Sequence, residues 1–344
     1  MWQQLGRART AVAVTAAVAV APFALALPAN ATTAGSNGLI AFAHREADGD
    51  LHRRPLYTMN PDGTSIRQLT HPDWGFADLA SSWSPDGTKL VFEEDDNTLN
   101  LADLYVINAD GSDLDRLTDC AAEPQDSHRC GGYFGPVWLP DGNSIVFTRC
   151  CITQPDGDHQ TIDIMRSDGT GLRTIAIDPS PNGGDDGVAV SPDGQWVAFS
   201  EQHSNHSFSK ESGSALFVVH SNGSGLRQVT SFGLWVDEKD WSPDGSRIVF
   251  VTHQAGRGQP FRADIDTIRP DGTGLTQLSS TTPGQTYAFE PEYAPAGNRI
   301  LFSYFPDSEG DSSLATMRTD GSDVQFIPGT SGDSPASWGT APQR

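Results

Sequence analysis

The sequence predicts an all-β chain: a six-bladed β-propeller of four-stranded antiparallel blades, closed by pairing of its N- and C-terminal segments. Three observations lead there. Two short motifs alternate along the chain with a joint period near fifty residues; one occurs six times while the other is complete only five times; and the missing copy is split between the two ends. A period of that size belongs to propellers and solenoids, whose units cannot bury a hydrophobic face alone and must stack on copies of themselves.

The first motif reads Trp83-Ser84-Pro85-Asp86-Gly87-Thr88-Lys89-Leu90-Val91-Phe92 and starts again at residues 138, 190, 241 and 293. Ser-Pro-Asp-Gly is a turn, because proline presets φ at the second position and glycine accepts the positive φ that closes it. The residues beyond it, such as Ile145-Val146-Phe147 and Ile248-Val249-Phe250, are apolar and largely β-branched, which suits a half-buried strand. In the second motif an apolar run such as Leu216-Phe217-Val218-Val219 enters Asn222-Gly223 and leaves through Leu226-Arg227-Gln228-Val229-Thr230, a hairpin signal. Its six copies carry Gly63, Gly111, Gly169, Gly223, Gly272 and Gly321. Two hairpins per period make four strands.

Gly38-Leu39-Ile40-Ala41-Phe42 is the second half of a first motif, and Trp338-Gly339-Thr340-Ala341-Pro342 is its first half, so the two ends are expected to complete one blade. Trp83, Trp138, Trp241 and Trp338, with the motif phenylalanines, are expected between neighbouring blades. No helical periodicity appears beyond the leader described next.

Arg7 and Arg9 precede an alanine-rich apolar run, and Ala29-Asn30-Ala31 follows with small residues where a signal peptidase cuts. Residues 1–31 therefore read as a secretory leader and residues 32–344 as the propeller, secreted or periplasmic. The apolar run, Ala11 to Leu27, is shorter than the roughly 20 apolar residues of a membrane span, and no later stretch approaches that length. A monomer without a membrane span is expected after cleavage. The net charge of −22 repels phosphate backbones and argues against a nucleic-acid partner. Cys120, Cys130, Cys150 and Cys151 crowd together in an otherwise cysteine-free chain bound for an oxidising compartment, so disulfides are expected. Their pairing stays open, and their spacing does not match paired C-x-x-C zinc knuckles.

In such a ring the connections that leave the second and fourth strands emerge on one face, where the inner strands begin. Acids stand just before the Trp position of several inner strands: Asp78, Asp185, Asp186, Asp237, Glu238, Glu290, Glu292 and Asp333. Asp78, Asp186, Asp237, Glu290 and Asp333 come from different blades and are candidate metal ligands at the channel mouth. Converging carboxylates repel unless a cation or proton relieves them, and Ca2+ accepts oxygen ligands in flexible geometry. The competing reading is a hydrated acidic funnel with Lys239 as partial counter-charge. His44, His203, His206 and His253 follow second strands and reach the same face. No G-x-S-x-G elbow, H-E-x-x-H pair or G-x-x-x-x-G-K loop occurs.

Residues 38–342 resemble the TolB-like propeller family, whose repeats read W-S-P-D-G-x-x-I-x-F, then a strand ending in D-G, then R-L-T. Val190 and Tyr293 replace the first Trp, Leu139 and Ala294 the turn Ser, and Ala296 the turn Asp. The resemblance implies a six-bladed ring, here without the α/β domain that precedes it in the family's namesake, and says little about activity. The propeller also resembles that of prolyl oligopeptidase-like enzymes, where a separate hydrolase domain does the chemistry. Seven-bladed oligogalacturonate lyases look similar and hold a metal with histidines, but no histidine spacing here matches a motif. The expected function is that of an exported scaffold presenting loops on one face to a protein or glycan partner. The alternative is a metal-dependent polysaccharide lyase or hydrolase with its site at the channel mouth.

Overall fold

Each repeat folds as one four-stranded antiparallel sheet in the computed structural model, which describes residues 35–44, 53–99, 101–122, 132–154, 157–177, 187–203, 213–254, 262–279, 286–306, 312–333 and 336–342. The leader expected over residues 1–31 lies outside the described residues. From the channel outward, blade 1 runs Ala336–Thr340, Asn37–Ala43, Leu56–Met59 and Arg67–Gln68. Blade 2 runs Phe76–Trp83, Lys89–Asp96, Leu101–Asn108 and Asp115–Arg116; blade 3 runs Gly132–Trp138, Ser144–Gln154, Gly157–Arg166 and Arg173–Ile177. Blade 4 runs Val188–Val190, Trp196–His203, Gly213–His220 and Arg227–Gln228. Blade 5 runs Val236–Trp241, Ile248–Gln254, Arg262–Ile268 and Thr276–Gln277, and blade 6 runs Tyr287–Tyr293, Arg299–Phe305, Ser313–Arg318 and Gln325–Phe326. Among the described residues there is no α-helix, and no helix is long and apolar enough to cross a membrane.

The split repeat closes the ring. Ile40 pairs with Trp338, Ala41 with Ser337 and Phe42 with Ala336, so the C-terminal segment is the inner strand of the blade whose other strands are N-terminal. Six hydrophobic clusters hold the ring, and each crosses one blade boundary. Val91, Leu104 and Val106 of blade 2, for example, meet Trp138, Ile145 and Phe147 of blade 3. At the closure, Leu301 and Leu314 of blade 6 meet Ile40, Phe42, Met59 and Trp338 of blade 1. Because no blade has a core of its own, removing one strand uncovers two neighbours at once. The motif phenylalanines Phe42, Phe92, Phe147, Phe199 and Phe250 are almost wholly buried, as expected of inter-blade aromatics.

Two details position the channel. The inner strands of blades 2, 3, 5 and 6 each slip register just before their last residues, at Leu79/Ser82, Phe134/Val137, Asp237/Lys239 and Phe289/Glu292. Such bulges bend a strand and re-aim its side chains, here turning Glu238 and Glu290 along the ring. A parallel bridge from Arg54 to Ala77 then ties a connection of blade 1 onto the inner strand of blade 2, with Asp78 N–H donating to the Arg54 carbonyl at 2.8 Å.

Candidate functional site

Apart from the Arg54–Ala77 bridge, an inner strand is paired on one side only, so its other edge faces the channel with backbone N–H groups that need acceptors. Carboxylates of one blade supply them to the next. Glu238 of blade 5 accepts the Glu290 N–H at 3.1 Å, Asp240 accepts the Tyr293 N–H at 2.8 Å, and Glu292 of blade 6 accepts the Trp338 N–H at 2.9 Å. Across the ring, Glu93 accepts the Gly135 N–H at 2.7 Å. Lys239 reaches the other way and donates to the Gly187 carbonyl at 2.8 Å and to Ser200 Oγ at 2.6 Å, both in blade 4.

Glu238, Lys239, Asp240, Glu290 and Glu292 line a channel cavity of about 190 Å³, acidic along blades 5 and 6 and walled by Ser81, Ser82 and Ser337 on blades 2 and 1. That volume lies below the roughly 300–1,000 Å³ of an enclosed small-molecule site. Burial raises the carboxyls of Asp240 and Glu292, and the charge of Asp240 raises Glu292 further. Burial also pushes Glu93 to about 8, with Asp95 adding repulsion. Glu290 occupies left-handed backbone at φ 54°, the same φ that Gly135 adopts in blade 3, and its Oε2 accepts the Ser303 hydroxyl at 2.6 Å.

Of the expected metal ligands at the mouth, Asp78, Asp237, Glu290 and Asp333 lie among the described residues, and each has a partner of its own. Asp78 is buried at the boundary of blades 1 and 2; burial pushes its carboxyl to about 8 against a hydrogen bond from Thr70. Asp237 Oδ2 lies 3.2 Å from His253 Nε2. Asp333 is fully buried with Oδ1 2.5 Å from His44 Nδ1, and burial pushes it to about 6 while His44 and Arg54 oppose the rise. Arg54 also opposes the rise at Glu290. Asp185, Asp186 and His206 lie outside the described residues, as does the side chain of His203. Among the described residues no three His, Cys, Asp or Glu side chains come together to hold a metal ion.

The family model of the TolB beta propeller domain matches residues 122–342. The chain belongs to the TolB β-propeller family. The uncharacterized protein Atu1656 of Agrobacterium fabrum is 27% identical to this TolB β-propeller over 175 residues, which cover 49% of the chain and 54% of that relative. The chain thus spans about half the length of that relative. TolB from Acinetobacter baumannii superposes with a TM-score of 0.66 at 16% identity, over 88% of this chain and 67% of that one. An oligogalacturonate lyase in complex with manganese superposes with a TM-score of 0.53 at 13% identity, over 88% of this chain and 75% of that one. Identities this low establish a shared fold and leave activity to the site itself.

Within this TolB β-propeller, Cys120 and Cys150 are both disulfide-bonded and no described cysteine is a free thiol. Cys130 and the side chain of Cys151 lie outside the described residues. Several acids that shape the channel region escaped the sequence reading. Asp240 obeys the same positional rule as Asp237, directly before Trp241, and Glu93 interrupts the apolar run Leu90-Val91-Phe92; both signals were available. Arg54 carries no such signal, since its place depends on the bridge to Ala77.

Proposed function

We propose that this chain is an extracytoplasmic binding propeller that presents the loops of its channel-mouth face to a protein or glycan partner. The observation that carries this reading is the commitment of the channel carboxylates: Glu238, Asp240 and Glu292 each hold a backbone N–H of the next blade. Acids bound into the architecture are poorly placed to act on a substrate, and the cavity they surround is small. Export rests on the leader, and disulfide-bonded Cys120 and Cys150 fit an oxidising compartment. A metal-dependent lyase or hydrolase takes its support from a likeness of fold alone.

The test is carboxyl-directed cross-linking of the mature protein in the extracytoplasmic fraction of its host, read by mass spectrometry. A partner joined through exposed residues of the mouth face, such as Asp73 and Asp119, is the expected result. Links confined to Asp110 and Asp320 on the turn face, or metal-dependent cleavage of a polysaccharide by the purified protein, would overturn the proposal.

A further inference from the structure

Five of the six blades end in an outer strand of two residues: Arg67–Gln68, Asp115–Arg116, Arg227–Gln228, Thr276–Gln277 and Gln325–Phe326. Blade 3 ends in five, Arg173–Ile177. Shortening is one way proteins blunt an exposed sheet edge, and blade 3 lacks that protection. Its inner side pairs Ile162 with Ala176 and Ile164 with Arg173, with one register slip between Ile162 and Asp163 that leaves Ile175 without an opposite residue. Its outer side pairs with no strand among the described residues. The edge is also rigidly backed. The strands Ser144–Gln154 and Gly157–Arg166 behind it have 11 and 10 residues, and Ile175 and Ala176 are anchored in the cluster shared with blade 4. Against this buried pair, Ile177 is 55% exposed, whereas the exposed Leu172 just before the strand has a counterpart in every other blade.

We propose that Arg173–Ile177 is a docking edge for an extended, net basic segment of another protein, which adds to blade 3 as a fifth strand. Strand addition takes its affinity from main-chain hydrogen bonds and its specificity from alternate side chains, which here would lie beside Ile177. The basic character follows from the chain's net charge of −22, which draws cationic segments and repels a second copy of itself. The cation on the strand, Arg173, is turned to blade 4, where it donates to the Ser221 carbonyl at 2.9 Å. The edge lies on the outer rim of blade 3 and reaches the mouth face at Ile177, but its readout by exchange over residues 173–177 is distinct from cross-links through Asp73 and Asp119, so either assignment can fail without the other.

The mature protein is titrated with a short fluorescein-labelled peptide of alternating valine and lysine, followed by anisotropy and by amide hydrogen exchange over residues 173–177. Saturable binding with slowed exchange at the edge is expected. Binding should weaken about tenfold when alternate peptide amides are N-methylated, and about tenfold for Ile177→Lys, whose exposed position leaves the melting temperature unchanged. Equal binding of the N-methylated peptide, or by Ile177→Lys, would reduce the effect to charge attraction and overturn the proposal. So would absence of binding, tighter binding of a valine–glutamate peptide, or a dimer in sedimentation that Ile177→Lys dissolves.

Discussion

The carboxylate of Glu292 accepts the backbone N–H of Trp338 at 2.9 Å, so the last complete blade grips the strand that closes the ring. Asp240 treats Tyr293 in the same way one blade earlier. At the channel these acids do what another strand would do at an ordinary sheet edge, because the inner strands they serve have no neighbour on that side. The cost is borne by protonation: an acid held in this setting favours its neutral form.

Stability is therefore expected to fall as pH rises past about 5. Burial pushes Asp78 and Glu93 to about 8 and Asp95 and Asp333 to about 6, and it raises Asp240 and Glu292. A carboxyl raised by folding binds more protons folded than unfolded. Its contribution is complete below the unfolded value and is lost as pH climbs through the folded one. The turn aspartates Asp110, Asp168, Asp271 and Asp320, lowered by hydrogen bonds from the following Ser or Thr, act in the opposite sense and lose their contribution in acid. Thermal melts should peak near about pH 5 and decline toward about pH 8. A melting temperature that climbs steadily to neutrality would contradict buried, protonated carboxyls.

Deleting residues 334–344 should unfold the ring or strongly destabilise it. The deletion removes Ala336–Thr340, bares the edge of Asn37–Ala43, and takes Trp338 from a cluster containing Ile40, Phe42 and Met59. Loss of a buried tryptophan alone costs about 3–5 kcal/mol. Circular dichroism melts of the truncated and full-length mature chains decide the matter, and equal melting temperatures would refute the closure.

Two glycine substitutions separate backbone strain from inter-blade contact. Gly142 stands at φ +66° with open space where a Cβ would project, so Gly142→Ala should cost about 1 kcal/mol. Gly321 stands at φ +84°, and a Cβ there would collide with the Leu278 carbonyl oxygen on the preceding blade. Gly321→Ala should cost about 2–4 kcal/mol in denaturant titrations. Equal losses would mean that the second-motif turns do not press on their neighbours.

Calcium should stabilise the protein no more than magnesium or sodium chloride at matched ionic strength, because Asp237, Glu290 and Asp333 already engage His253, Ser303 and His44. A gain specific to calcium, abolished by Asp237→Asn with Glu290→Gln, would instead establish the carboxylate cage considered from the sequence.

Alkylation of the native mature protein without reductant should modify none of Cys120, Cys130, Cys150 and Cys151, and reduction should lower the melting temperature. Mass spectrometry that finds four alkylated thiols would remove the argument for an oxidising compartment.

By itself the sequence determined the number of blades, the strands within them and the way the ends meet. Those features rest on local chemistry: proline and glycine at the turns, apolar runs between them, and a motif cut in two at Gly38-Leu39-Ile40 and Trp338-Gly339-Thr340. It also brought Asp237, Glu238, Glu290 and Glu292 to the inner strands, because their offset from the Trp position repeats. Only the tertiary structure decided what each of them meets. His44 and Asp333 are 289 residues apart, Arg54 reaches the inner strand of blade 2 through a bridge to Ala77, and Glu238 meets the N–H of Glu290 only because a bulge turns the strand. The extra length of the outer strand in blade 3 belongs to the same class. Contacts between blades depend on how whole sheets stack, and stacking places side chains together without leaving a pattern in neighbouring residues.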